Sequence, residues 1–332
     1  MNADIPFWLS FLFIAGGLAA LAWSSNVFID ASAAMARRFG ISPFIVGMVI
    51  IGFGTSAPEL CVSAMSGVAG HSNLSLGNAY GSCVFNIAAI LGVAALIRPI
   101  TAKPAISFVA APVLAAVAGV TCWILRDNLC SRAESLALLF AFFVLLPLYC
   151  WFDQKNNASG GSSAPVAPEE GSAVSVWREA AKLVFGLSLL MGSSHVLVWG
   201  AVDVARAFGV SELMIGLTIV AVGTSLPELA SAIAAARKGE HEFVLGNIIG
   251  SNFFNSLAVV GVASAISPAN GFSGGILSRD LPAMIVLSLS IALFGIDFRS
   301  PRKDGRIGRR KGGIWCLLCA FYFVWVICGE LN

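Results

Sequence analysis

The chain has 332 residues, of which 58% are apolar and 11% charged, and its formal net charge is +2. A charged share so far below that of a soluble domain excludes a water-exposed globule of this length and makes lipid the solvent for most of the chain. The small net charge gives no ground for a nucleic-acid partner.

A bilayer core takes about 20 apolar residues per helix. Measured that way, the chain contains ten candidate spans, at 7–29, 43–69, 76–97, 105–125, 134–152, 179–203, 212–236, 243–266, 281–298 and 313–330. No Lys or Arg precedes Arg37, and the first apolar run is long, so a cleavable signal peptide is not expected there. Between the fifth and sixth spans, Asp153 opens a polar stretch rich in Gly, Ser and Pro that reads as a flexible linker. The expected organisation is therefore a first five-helix unit (1–152), a linker (153–177) and a second five-helix unit (178–332).

The basic residues are divided unevenly between the connecting segments. With the N-terminus outside, the cytoplasmic segments hold Arg37, Arg38, Arg98, Lys103, Lys155, Arg178, Lys182, Arg237, Lys238 and seven more from Arg299 to Lys311. The external segments keep only Arg126, Arg132, Arg206 and Arg279. By the positive-inside rule, both termini face away from the cytoplasm and the linker lies within it.

A shift of 169 residues lays one half on the other: Ser24–Pro99 aligns without a gap on Ser193–Pro268, with roughly thirty identities in about 76 positions. Phe39-Gly40 meets Phe208-Gly209, and Gly54-Thr55-Ser56 meets Gly223-Thr224-Ser225. Pro58-Glu59-Leu60 meets Pro227-Glu228-Leu229; further on, Gly77-Asn78, Gly81-Ser82 and Phe85-Asn86 meet Gly246-Asn247, Gly250-Ser251 and Phe254-Asn255. Five helices per half is an odd number, so the second copy enters the membrane from the opposite side. The fold class that follows is an all-α membrane protein of ten helices in two inverted repeats, an arrangement that sets paired sites at the bilayer midplane.

The matched polar positions carry the chemistry. Glu59 and Glu228 fall in the middle of apolar spans, where an acid costs several kcal/mol and calls for a reason. Two of them meeting near the centre offer −2, and hard oxygen ligands suit Ca²⁺ and Na⁺ alike. Pro58 and Pro227 cannot donate to the carbonyls of Gly54 and Gly223, so each opens its helix. Thr55 and Thr224 lie four residues before their glutamates, on the same face where the helix continues, and add further oxygens. Ser82 and Asn86 share a face in the next span, and Ser251 and Asn255 mirror them. Asp30, Asp203 and His195 have no matching partner in the other copy and read as interfacial or locally paired. The eight cysteines lie mostly in apolar runs, Cys130 alone in a plausible loop, so they read as thiols without metal or redox duty, the Cys316-x-x-Cys319 pair included.

The paired Gly-Thr-Ser-x-Pro-Glu and Gly-Asn-x-x-Gly-Ser motifs resemble the two α-repeats of the Ca²⁺:cation antiporter superfamily, in particular its bacterial sodium/calcium exchanger branch. The resemblance covers essentially the whole chain and implies a Na⁺/Ca²⁺ antiporter of the inner membrane, not an enzyme, with the two ions as substrates and no cofactor. It implies that Glu59 and Glu228 are the shared carboxylates and that Thr55 and Thr224 ligate through backbone and side chain, with Ser56 and Ser225 beside them. Gly52 and Ala221 are implied as carbonyl donors to flanking Na⁺ sites, Ser82 and Ser251 as completing those sites, and Asn86 and Asn255 as lining the centre. Asn255 stands where K⁺-dependent exchangers carry Asp, which argues against a K⁺ requirement, and Ser56 and Ser225 argue against the H⁺/Ca²⁺ branch. A cation channel and a membrane-embedded enzyme are the rivals from other classes; the chain lacks His-Glu-x-x-His and has only three histidines. Oligomeric state is left open.

Overall fold

In lipid every backbone N–H and C=O needs a partner within the chain, so long apolar runs fold as helices. The computed structural model describes residues 7–70, 72–158, 176–209, 219, 221–271, 275–300 and 303–331. The first half runs α1 (Phe7–Phe39), α2 (Pro43–Thr55), α3 (Ala57–Val68), α4 (Leu74–Ile97), β1 (Ile100–Ala102), α5 (Ile106–Asp127), β2 (Leu129–Cys130) and α6 (Arg132–Ala158). The second runs α7 (Val176–Ala207), α8 (Ala221–Thr224), α9 (Leu226–Lys238), α10 (His241–Ile266), β3 (Ala269–Asn270), α11 (Ile276–Gly295), β4 (Gly305–Ile307) and α12 (Arg309–Leu331). The protein is thus an all-α membrane protein. Among the described residues seven helices are long and apolar enough to cross a bilayer, or eight with the bent pair α2–α3 taken as one span.

Several boundaries differ from the expected ones. The first helix was expected to stop near residue 29 but continues to Phe39, because Asp30 is followed by Ala-rich, helix-favouring sequence and Arg37 and Arg38 sit favourably at the negative end of the helix. It stops at Gly40, whose φ of +61° suits a residue without Cβ, and Ile41 N–H donates back to Ala36 O. The repeated Phe-Gly does the same at Gly209, φ +74°. Residues 153–158, assigned above to the linker, continue α6, while 159–175 lie outside the described residues. The seventh expected span falls partly outside them too, and its described part is α8 and α9.

Two short ribbons join the halves. β1 pairs antiparallel with β4, and β2 with β3, so each ribbon takes one strand from either half. Around the first ribbon, basic side chains close helix C-termini, where carbonyls lack partners. Arg309 Nε donates to Leu96 O at 3.0 Å, Lys311 Nζ to Phe294 O at 2.7 Å, and Arg98 Nη1 to Arg237 O at 3.3 Å. Lys103 pairs with Glu242, and Lys238 with Asp30 at 2.6 Å, at this same end. Near the second ribbon, Ser131 and Glu134 form a reciprocal capping box that starts α6.

Most of the buried aliphatic residues form one cluster through both halves, with Ile51, Ile87, Ile90 and Leu91 from the first and Ile248, Ile249, Val259 and Val260 from the second. α1 and α7 lie along each other, and the rings of Phe13 and Trp199 stack at 5.1 Å between centroids. Asp203 accepts from the Ser10 hydroxyl across that pair, and Asp30 is held by Lys238, so both acids are locally paired; His195 is exposed. Among the described residues no cysteine takes part in a disulfide, and Cys130 is buried in β2 beside Ser135.

Candidate functional site

The two Gly-Thr-Ser-x-Pro-Glu segments break their helices in the same way. Pro58 lacks the N–H that would bond Gly54 O, and Ser56 takes φ −85°, ψ 7°, leaving α2 and α3 at 44° to each other. Ser225 takes φ −92°, ψ 8° between α8 and α9, and Pro227 sits in the first turn beyond it. Both serines occupy the bridge region, common in turns and in functional sites. The opened carbonyl does not stay free at both breaks: Gly223 O accepts from the Ser194 hydroxyl at 3.0 Å.

At the breaks the two halves hold each other's acids. Ser56 Oγ donates to Glu228 Oε1 at 2.8 Å, and Ser225 Oγ donates to Glu59 Oε1 at 3.0 Å. The donors and acceptors stand at matched positions, so the contact is reciprocal between repeats. Both glutamates are fully buried, and each keeps one oxygen, Glu59 Oε2 and Glu228 Oε2, without a hydrogen-bond partner. A carboxylate oxygen in that position costs free energy unless something positive meets it.

The neighbouring hydroxyls converge on the same place. Ser82 Oγ lies 3.3 Å from Ser225 Oγ, and Ser251 Oγ donates to Gly52 O at 3.2 Å. Across the breaks each threonine approaches the acid of the other half, Thr55 at Glu228 and Thr224 at Glu59. Thr55 Oγ1 also donates to Ile51 O at 2.9 Å. Ala221 opens α8 at the place where Gly52 stands in α2.

Asn86 and Asn255 are both fully buried and both lie at the start of π-helical turns, Asn86–Leu91 and Phe254–Val259. Such turns widen a helix by one residue and often mark functional positions. Asn86 Nδ2 donates to Asn252 Oδ1 at 3.0 Å, Asn252 Nδ2 to Cys83 O at 3.1 Å, and neither amide atom of Asn255 has a partner. Among the residues not singled out from sequence, Asn78 and Asn247 matter most. Asn78 Nδ2 donates to Glu59 O at 3.3 Å, and Asn247 Nδ2 to Glu228 O at 3.4 Å. Their signal was the Gly-Asn pair shared by both copies.

The set is rich in carboxylate, hydroxyl, amide and carbonyl oxygens. It can strip a hard cation of water and neutralise two positive charges.

The family model for the sodium/calcium exchanger protein matches residues 9–151 and 179–328. CaxA of Alkalimonas amylolytica is 38% identical over 310 residues, covering 93% of this chain and 95% of that protein. The inner membrane protein YrbG of Escherichia coli strain K12 is 34% identical over 317 residues, covering 93% of each. A solved structure of the sodium-calcium exchanger NCX_Mj superimposes with a TM-score of 0.81 at 29% identity, covering 97% of this chain and 99% of that one.

Proposed function

The chain belongs to the sodium/calcium exchanger protein family, and from that premise we propose that it is a secondary antiporter that exchanges Na⁺ for Ca²⁺ across the membrane by alternating access. The observation that carries this reading is the reciprocal serine–glutamate contact, which joins two buried acids from matched positions and leaves one oxygen of each unpartnered. A single Ca²⁺, or several Na⁺, would satisfy both. Empty, the pocket keeps two charged groups out of water, and that penalty opposes a closed, ion-free state and so couples the two fluxes.

In this reading Glu59 and Glu228 bind both ions in competition, with Thr55, Thr224, Ser56 and Ser225 beside them. Gly52 with Ser251, and Ala221 with Ser82, hold the flanking Na⁺, and Asn86 and Asn255 line the centre. Ten membrane helices in two inverted repeats (1–152 and 178–332, joined by 153–177) are supported by the ribbons, each of which takes a strand from either half. The gathering of Arg98, Lys103, Arg237, Lys238, Arg309 and Lys311 around one ribbon favours that end as cytoplasmic, with both termini outside an inner-type membrane.

The test is ⁴⁵Ca²⁺ uptake into Na⁺-loaded proteoliposomes with current recorded in parallel. Uptake should follow the Na⁺ gradient and carry outward positive charge as Na⁺ leaves against entering Ca²⁺, since three Na⁺ per Ca²⁺ moves one net charge, worth about 2.3 kcal/mol per 100 mV. Silent exchange would indicate two Na⁺ per Ca²⁺. Uptake driven by a pH gradient without Na⁺ would replace this reading by Ca²⁺/H⁺ antiport, and an absolute need for K⁺ by K⁺-dependent exchange. Ser56→Ala and Ser225→Ala should each weaken half-saturation by Ca²⁺ about tenfold, the value of one hydrogen bond to a charged group. Unequal effects of the two would argue against a site shared symmetrically by the halves.

A further inference from the structure

The Gly-Asn pair of each repeat has no role in the scheme above, yet Asn247 touches more of the site than several residues that do. It is 1% exposed, so no bulk water replaces its contacts. Its Nδ2 donates to Glu228 O at 3.4 Å, which turns Oδ1 the other way, toward two hydroxyls: Ser251 Oγ and Thr55 Oγ1, each at 3.4 Å. The opposite amide orientation would set carbonyl against carbonyl at Glu228, so hydrogen-bond chemistry fixes this one.

Ser251 has a single hydroxyl proton and two acceptors within reach, Gly52 O at 3.2 Å and Asn247 Oδ1 at 3.4 Å. A Na⁺ held by Gly52 O and Ser251 Oγ needs the lone pairs of both. The proton must then leave Gly52 O, and among the described residues Asn247 Oδ1 is the other acceptor for it. We propose that Asn247 is a positioning residue for the flanking Na⁺: it receives the Ser251 proton when the ion binds and so presents the hydroxyl oxygen to the cation. The inference rests on the reading above, in which Gly52 and Ser251 face Na⁺. Asn78 makes the same backbone contact in the first repeat, at Glu59 O, so the anchor is common to both halves. Thr55 depends less on Asn247, because Ile51 O accepts its proton at 2.9 Å.

The experiment compares Asn247→Leu and Asn247→Asp in proteoliposomes, measuring Na⁺ half-saturation of ⁴⁵Ca²⁺ exchange and, without Na⁺, Ca²⁺ half-saturation of Ca²⁺–Ca²⁺ exchange. Removing the acceptor in Asn247→Leu should raise Na⁺ half-saturation by about ten- to a hundredfold, and at least about fivefold further than it moves Ca²⁺ half-saturation. Asn247→Asp keeps an acceptor oxygen and loses the N–H to Glu228 O, so it should recover most of the Na⁺ affinity lost in the leucine variant. Equal loss for the two ions, or an aspartate variant as impaired as the leucine one, would overturn the proposal in favour of plain packing. If the leucine variant does not fold, a marked loss of Na⁺ affinity in Asn247→Asp alone overturns it. Exchange that survives Glu59→Gln and Glu228→Gln overturns the reading beneath it; exchange lost in those two but with ordinary Na⁺ dependence in Asn247→Leu overturns only this inference.

Discussion

Glu59→Gln and Glu228→Gln should each lower Na⁺-driven ⁴⁵Ca²⁺ exchange by about a hundredfold or more. Both side chains are fully buried, so nothing but the protein and the ion balances their charge. With one acid neutralised, a bound Ca²⁺ keeps one uncompensated positive charge in a low-dielectric site, and breaking a buried charge pair costs about 3–5 kcal/mol, where 1.4 kcal/mol is tenfold. The two variants should be equally impaired, because each acid is held by the serine of the other half in the same way. The same substitutions remove an uncompensated buried charge from the ion-free protein, so its thermal unfolding in detergent without Ca²⁺ or Na⁺ should shift upward. Transport within tenfold of the wild type in both variants would sink the assignment. So would a loss of transport accompanied by a drop in ion-free stability, which would mark the glutamates as structural.

The position of this site was legible in the sequence because its parts recur at a constant stride. Glu59 and Glu228, Ser82 and Ser251, Asn86 and Asn255 stand out as polar residues preserved between two apolar halves. The helix breaks were legible from Pro58 and Pro227. Contacts that depend on how separate helices pack were not. Ser194 taking the carbonyl of Gly223 joins residues 29 positions apart, and its counterpart Ser25 instead bonds Ala22 O within its own helix. Helical spacing places each threonine on the face of its own glutamate only where the helix continues. Ser56 and Ser225 interrupt it, so which acid a threonine approaches is not legible from spacing. The π-helical turns at Asn86 and Phe254 leave no trace in a 3.6-residue pattern. The length of α1 is illegible for another reason: a ruler based on apolar runs stops at Asp30, whereas helix propensity does not.

Gly250→Ala should damage both stability and transport, although it adds one methyl group. A Cβ at Gly250 would lie 2.2 Å from Met48 O and 2.6 Å from Met48 Cα, and one at Gly246 would lie 2.4 Å from Phe44 O. These neighbours are backbone, so no side-chain rotation relieves the overlap; α10 has to move away from α2. Small residues permit this approach in membranes, where apolar burial against lipid supplies little driving force and close packing supplies much of it. Such overpacking costs about 1–3 kcal/mol. The displacement falls where Ser251 Oγ meets Gly52 O at 3.2 Å, one residue beyond Gly250, so the flanking site opens as the helices part. Exchange should fall by about tenfold or more and Na⁺ affinity should suffer with it, in line with the second-sphere sensitivity of metal sites. Gly16→Ala is the matching control: Gly16 is exposed on α1, where alanine improves helix propensity by up to about 1 kcal/mol. The decisive comparison is thermal unfolding and ⁴⁵Ca²⁺ exchange for the two variants side by side. A Gly250→Ala protein that melts and transports like the wild type would mean that α2 and α10 do not touch through backbone, and the oxygen cluster would then lack the close seam that holds its two halves in register.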